Sequence, residues 1–146
     1  MKRQNLRIVV LEDDDSSREV LTRVLERRSY EVVSAREPLL CPLYTDLNAV
    51  CTHQFPCGDF LLTDNHMPRM SGLEFVTRQC RRGCKGVVHR KAVISGAWDE
   101  EDLSLARELG CKIFTKPYRL AEIFQWLEGQ ARQIPFDRKL TPLLPD

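Results

Sequence analysis

The chain has 146 residues, of which 42% are hydrophobic and 29% charged, with a formal net charge of +1. That length suits one compact domain with one buried core, and the near-neutral balance excludes a general polyanion binder. No apolar run approaches a bilayer span, and no basic segment followed by an apolar stretch opens the chain, so the expectation is a cytoplasmic protein. The six cysteines would suggest a disulfide framework in an exported chain. In a reducing compartment they read as free thiols or a metal site.

In chain order, "RIVVL" (Arg7 to Leu11) is a short apolar, β-branched run that reads as a strand. "SREVLTRVLERR" follows with Val20, Leu21, Val24 and Leu25 at helical spacing, and Asp15 or Ser16 is placed to cap it. "YEVVSA" (Tyr30 to Ala35) and "DFLLTD" (Asp59 to Asp64) read as strands. Between them, Arg36 to Gly58 carries three prolines and three cysteines, which leaves room for one short helix near Tyr44 to Cys51. "SGLEFVTRQCRR" (Ser71 to Arg82) is helical, with Leu73, Val76 and Cys80 at helical spacing. "KAVIS" (Lys91 to Ser95) is a strand, "EEDLSLAREL" (Glu100 to Leu109) a helix stopped by Gly110, and "CKIFT" (Cys111 to Thr115) the last strand. "LAEIFQWL" closes the series with Leu120, Ile123, Phe124 and Leu127 at helical spacing. Residues 1–133 thus make one domain, and the Pro-rich tail 134–146 is expected to be extended or disordered.

Strands alternating with helices imply a parallel sheet with right-handed crossovers and helices on both faces. In such sheets ligands sit beyond the carboxyl ends of the strands. Those ends carry Glu12 and Asp13, then Asp64, then Ser95, then Lys116. Carboxylates brought together there either raise one another's pKa or take a cation, and hard oxygens suit Mg²⁺, with Mn²⁺ the alternative. A carboxylate beside such an ion can attack phosphorus. Mg²⁺, the Lys116 ammonium and the Ser95 hydroxyl would each hold a phosphoryl oxygen.

"VVLEDDDSSR", "LLTDNHMPRMSG", "AVISG" and "FTKPY" together resemble the receiver domains of two-component response regulators, from about Arg7 to about Arg132. The resemblance implies a flavodoxin-like, doubly wound five-stranded sheet of order 2-1-3-4-5. It implies a stand-alone receiver in which Asp64 accepts a phosphoryl group from the phosphohistidine of a sensor histidine kinase or phosphotransfer protein. It makes Glu12, Asp13, Asp64 and the His66 backbone carbonyl the Mg²⁺ ligands, Ser95 the switch hydroxyl and Lys116 the phosphate-binding cation. It further implies self-catalysed phosphoryl transfer and loss rather than turnover as an enzyme. Output would be binding to a partner protein not named by the sequence, or formation of a homodimer. Relatives carry Tyr or Phe three residues before the lysine; here Ile113 stands there and Phe114 beside it, so the aromatic switch is either missing or moved to Phe114. Trp126 sits in the closing helix and reads equally as core or as part of an output surface.

The cysteines open a rival reading, a redox or metal-sensing module on the same scaffold. Cys51, Cys57, Cys80 and Cys84 could form a tetrahedral Zn²⁺ site or disulfides at the end of the sheet opposite Asp64, and Arg81, Arg82 and Lys85 would lower their thiol pKa values. A second rival, an Asp-nucleophile phosphatase, commonly has another acid two places after the nucleophile; His66 is there instead. The basic stretch Arg78, Arg81, Arg82, Lys85, Arg90 and Lys91 has no interleaved aromatics to stack bases, so it reads as a solvated face rather than a nucleic-acid surface.

Overall fold

The computed structural model describes residues 5–142. Five strands, β1 (Arg7–Leu11), β2 (Glu31–Ala35), β3 (Phe60–Asp64), β4 (Lys91–Ser95) and β5 (Lys112–Thr115), form one sheet in the order β2-β1-β3-β4-β5. Every neighbouring pair is parallel. The helices are α1 (Asp15–Arg27), α2 (Pro42–Thr45), α3 (Gly72–Arg81), α4 (Glu100–Leu109) and α5 (Leu120–Ala131), with one 3₁₀ turn at Val88–Arg90. The architecture is the doubly wound parallel sheet that the alternation of elements implies, in the flavodoxin-like order that the resemblance implies.

The pleat of the strands sorts the core into two layers. Ile8, Val10, Phe60, Leu62, Ala92, Ile94 and Phe114 pack with Leu21 and Leu25 of α1 and Ile123 and Leu127 of α5. Leu11, Leu61 and Val93 pack with α2, α3 and α4 on the other face. Central strands β3 and β4 are buried along their whole length, which is why they read as unbroken apolar runs. Adjacent residues of β5 go to opposite layers, Phe114 toward α5 and Ile113 toward α4. Phe114 therefore does not stand in for an aromatic at Ile113; its ring packs edge-on against Trp126, 5.8 Å between centroids. Trp126 also meets Phe60 edge-on at 5.5 Å, so it belongs to this core layer.

Local chemistry sets the helix ends, and several differ from the periodicity. Asp14, not Asp15 or Ser16, caps α1: its Oδ2 accepts from Ser17 N–H at 2.8 Å. Val20 is 57% exposed; the buried stripe of α1 is Leu21 and Leu25, with Val24 against it. In α3 the buried polar position is Gln79, and Cys80 is exposed. Ser71 caps that helix and Asp99 caps α4 through Asp102 N–H at 2.7 Å. Gly110 ends α4 in the left-handed conformation, φ 81°, where a Cβ would be strained. The short helix lies earlier than expected, at Pro42–Thr45. Pro42 starts it because a missing N–H is harmless there. Asp46 ends it in extended backbone and takes the Asn48 N–H on its side chain, an Asx turn.

Residues 134–142, the described part of the Pro-rich tail, are tied to the amino-terminal edge of the sheet. Ile134 enters the α1/α5 core layer at 4% exposure. Arg138 forks onto Asp59 at 2.9 and 2.8 Å and donates to Asn5 O at 3.2 Å. Thr141 donates through its N–H to Pro56 O at 2.7 Å and through its hydroxyl to Phe55 O at 2.6 Å. Arg7 in turn donates to Thr141 O at 2.9 Å. Residues 143–146 of the expected tail lie outside the described residues.

Candidate functional site

Parallel pairing puts the carboxyl ends of β1, β3, β4 and β5 on one rim. Asp64 is the last residue of β3 and is 6% exposed. Glu12 follows β1, is 7% exposed, and is pinned by its own N–H to Ala35 O at 3.0 Å. Its carbonyl accepts from the Arg18 guanidinium at 2.9 Å. Asp13 is exposed beside it. One carboxylate oxygen from each of Glu12, Asp13 and Asp64 lies within 4.8 Å of the others. Lys116, just beyond β5, reaches in so that its ammonium lies 3.4 Å from Glu12 Oε1 and 3.4 Å from Asp64 Oδ2. The Lys116–Pro117 peptide is cis. Tyr118, two residues on, lines the same cleft; the sequence reading passed over it because a Tyr after a Lys-Pro turn carries no motif of its own.

Three carboxylates converge where only one ammonium reaches, and the imbalance shows at Glu12 and Lys116. Burial first, and the adjoining Asp64 second, push the Glu12 carboxyl up to about 7, although Lys116 pulls the other way. Burial alone would lower Lys116; the pull of Asp64 and Glu12 outweighs it and raises the ammonium above its ordinary value. Glu12 Oε2 is buried with no hydrogen-bond partner. A buried orphan oxygen among converging carboxylates fits a hard divalent cation with oxygen ligands. Nothing in the donor set singles out Mn²⁺.

The loop after Asp64 is fixed by close backbone approach. A Cβ on Gly72 would sit 2.6 Å from the Asp64 carbonyl oxygen, so only glycine lets α3 start there. Asn65, not singled out from the sequence, ties both ends of this loop. Its carbonyl accepts from Gly72 N–H at 2.9 Å and its side-chain oxygen from Leu73 N–H at 3.1 Å. His66 is exposed, and its backbone N–H points at Asp64 Oδ1 from 3.4 Å. Ser95 ends β4 on the same rim but is turned to its own loop: its hydroxyl donates to Ala97 O at 3.1 Å and accepts from Ala97 N–H at 3.2 Å. The next residue, Trp98, donates its indole N–H to Phe114 O at 3.2 Å.

The cysteine site expected at the end of the sheet opposite Asp64 is not assembled. All six cysteines are free, and among the described residues the one group of three or more metal-ligating side chains is Glu12, Asp13 and Asp64. Cys51, Cys57, Cys80 and Cys84 thus form no Zn²⁺ cluster and no disulfide. Cys51, Cys57 and Cys84 lie within electrostatic range of one another, but Cys80 is exposed on α3 and Cys57 Sγ is 3.4 Å from His53 Nδ1. Burial pushes the Cys57 thiol up to about 11, and Cys111 likewise, the reverse of the lowering expected from neighbouring arginines. The basic stretch is also not uniformly solvated, because Lys91 is only 4% exposed.

A five-stranded 2-1-3-4-5 sheet with an acidic cluster and a lysine on its carboxyl rim defines the class: a flavodoxin-like α/β domain with an acidic site. The response regulator receiver domain profile matches residues 8–128, and the chain belongs to that family. Among solved structures it resembles a response regulator receiver protein from Pseudomonas putida, with a TM-score of 0.69, 23% identity, and 86% of this chain and 97% of that one covered. It also resembles the N-terminal domain of an uncharacterized protein from Wolinella succinogenes, with a TM-score of 0.67, 27% identity, and 88% and 95% covered. The chemotaxis protein CheY4 of Vibrio cholerae superposes with a TM-score of 0.64 at 20% identity, with 86% and 98% covered. No curated protein matches. Among the described residues no helix is long and apolar enough to cross a membrane.

Proposed function

We propose that this chain is a phosphoryl-accepting receiver in a two-component relay, with Asp64 as the acceptor. A carboxylate oxygen of Asp64 attacks phosphorus, and the P–N bond to a phosphohistidine on a sensor kinase or phosphotransfer protein breaks as the P–O bond forms. The observation that carries this reading is the setting of Asp64: buried, at a strand end, with Lys116 at 3.4 Å and the Glu12–Asp13 acid pair beside it. Glu12, Asp13, Asp64 and the His66 carbonyl are the residues that would hold Mg²⁺, which supplies charge neutralisation for phosphoryl oxygens. Lys116 supports another phosphoryl oxygen. Ser95 gives up its contacts with Ala97 to reach the third, and that turn moves the loop carrying Trp98. Phosphorylation in this way shifts a pre-existing equilibrium, and an output protein or a second copy of the chain binds the favoured state.

Incubation with Mg²⁺ and a small acyl phosphate, followed by intact mass, tests the reading. Wild type gains one phosphoryl group, the gain needs Mg²⁺, and Asp64→Asn gains none. Uptake by Asp64→Asn, or hydrolysis of many donor molecules with none retained, would overturn it.

A further inference from the structure

At the other end of the sheet a second charged group is buried without a counter-charge. Lys91 opens β4 and its side chain runs inward toward α3. Its ammonium has two side-chain partners, Gln79 Oε1 at 2.8 Å and Cys84 Sγ at 3.3 Å. Among the described residues no carboxylate lies within ion-pair distance of it. A buried ammonium held by one amide oxygen and one sulfur is poorly compensated if that sulfur is a neutral thiol. It is well compensated if the sulfur is a thiolate.

The loop is shaped to bring donors to that sulfur. Gly86 N–H also points at Cys84 Sγ, from 3.4 Å. A Cβ on Gly86 would lie 3.0 Å from Lys91 Cε, 3.3 Å from Nζ and 3.5 Å from Cys84 Sγ. The loop backbone thus packs close over the lysine tip, with the sulfur in van der Waals range of the same position. Two N–H donors converge on one sulfur, a geometry that favours the thiolate over the weakly accepting thiol. Cys84 is half-buried, whereas its partner Lys91 is 4% exposed.

We infer that Cys84 is a lysine-stabilised thiolate and a reaction site for peroxide and other small electrophiles. In the peroxide reaction the sulfur electron pair attacks one peroxide oxygen. The S–O bond forms, the O–O bond breaks, and the departing hydroxide takes a proton from solvent to give water. Sulfur is oxidised by two electrons to a sulfenic acid and peroxide is reduced. The product no longer offers Lys91 a thiolate, so the loop between α3 and β4 loses its charge pairing. This site is independent of the phosphoacceptor reading, and its test uses no phosphodonor.

The test compares cysteines within the full-length protein. Iodoacetamide is added at neutral pH and each thiol's labelling rate is followed by peptide mass. Cys80 is the more exposed thiol of the same helix end, so simple access predicts that it reacts first. The proposal predicts instead that Cys84 reacts about tenfold faster than Cys80, and that Lys91→Met removes this advantage. Ultraviolet thiolate absorbance gives a second readout that needs no labelling: wild type shows a thiolate signal at neutral pH that Cys84→Ser lacks. Peroxide with a cyclic dione probe then marks Cys84 in wild type and not in Lys91→Met. Cys84 reacting no faster than Cys80, no difference in absorbance between wild type and Cys84→Ser, or peroxide marking unchanged by Lys91→Met would each overturn the assignment.

Discussion

The two rims of this sheet handle buried charge in opposite ways. At the carboxyl rim three carboxylates crowd around one ammonium, and one oxygen of Glu12 has no partner. At the amino rim Asp59 and Lys91 are closed off individually, although Arg90 Nε is buried there without a partner. Asp59, 1% exposed at its side chain, is clasped by the Arg138 fork and by Arg7 N–H at 2.8 Å. Lys91 is closed by an amide and, in the state inferred above, by a thiolate. The difference separates a site from a brace. A site keeps charge unmatched so that an incoming ion or group completes it, whereas a brace satisfies its charge internally and spends it on holding chain segments together.

That contrast can be broken experimentally. The largest effect belongs to the unmatched rim: Asp64→Asn abolishes phosphoryl uptake, read by intact mass, while the fold is retained. Next is the brace. Arg138→Ala leaves Asp59 buried and without its cation, and should cost about 3 kcal/mol in denaturant unfolding; a loss within error of zero would mean the tail is merely laid over the sheet. Gly72→Ala forces a Cβ onto the Asp64 carbonyl and should cost about 2 kcal/mol, with phosphoryl uptake falling as Asp64 shifts. Wild-type stability in that variant would show that the α3 start moves freely.

A smaller effect follows from Glu12. Without a divalent ion its folded carboxyl titrates at about 7 rather than 4.5. The folded state therefore holds the extra proton between those values, and its stability contribution is present at low pH and lost as pH rises through about 7. Denaturation midpoints of wild type should fall relative to Glu12→Gln across that window, and Mg²⁺ should restore wild type most at the alkaline end. Parallel curves would show that Glu12 does not carry the surplus charge. The smallest effect is at His66. His66→Ala should change the lifetime of the phosphorylated form by less than about tenfold, or about 1.4 kcal/mol of barrier, without altering uptake; identical decay would remove His66 from the reaction.

The carboxyl rim was legible in the sequence because parallel pairing delivers every strand's last residue to one edge, so Glu12, Asp13, Asp64 and Lys116 could be placed together before any coordinates. β4 and α4 were legible to the residue, since "KAVIS" is wholly buried and Gly110 marks a clear stop. The amino rim was not. Its bonds join residues far apart, Asp59 to Arg138 and Phe55 to Thr141, and no periodicity encodes such pairs. Lys91 was misread as solvated because a lysine at a strand start usually is; the loop that buries it packs Gly86 close over the lysine tip. The cysteines misled for a related reason. Spacing along the chain says little about which way each Sγ points once α3 has turned Cys80 outward and the loop has turned Cys84 in.

The indole of Trp98, bonded to Phe114 O beside the Ser95 loop, is one of two tryptophans in the chain, and Trp126 is half-buried against the opposite layer, edge-on to Phe60 and Phe114. The molecule thus carries a separate fluorophore on each side of its sheet. Trp126→Phe would leave a single emitter three residues from Ser95, and its colour and quenching would report the loop in real time without any attached dye.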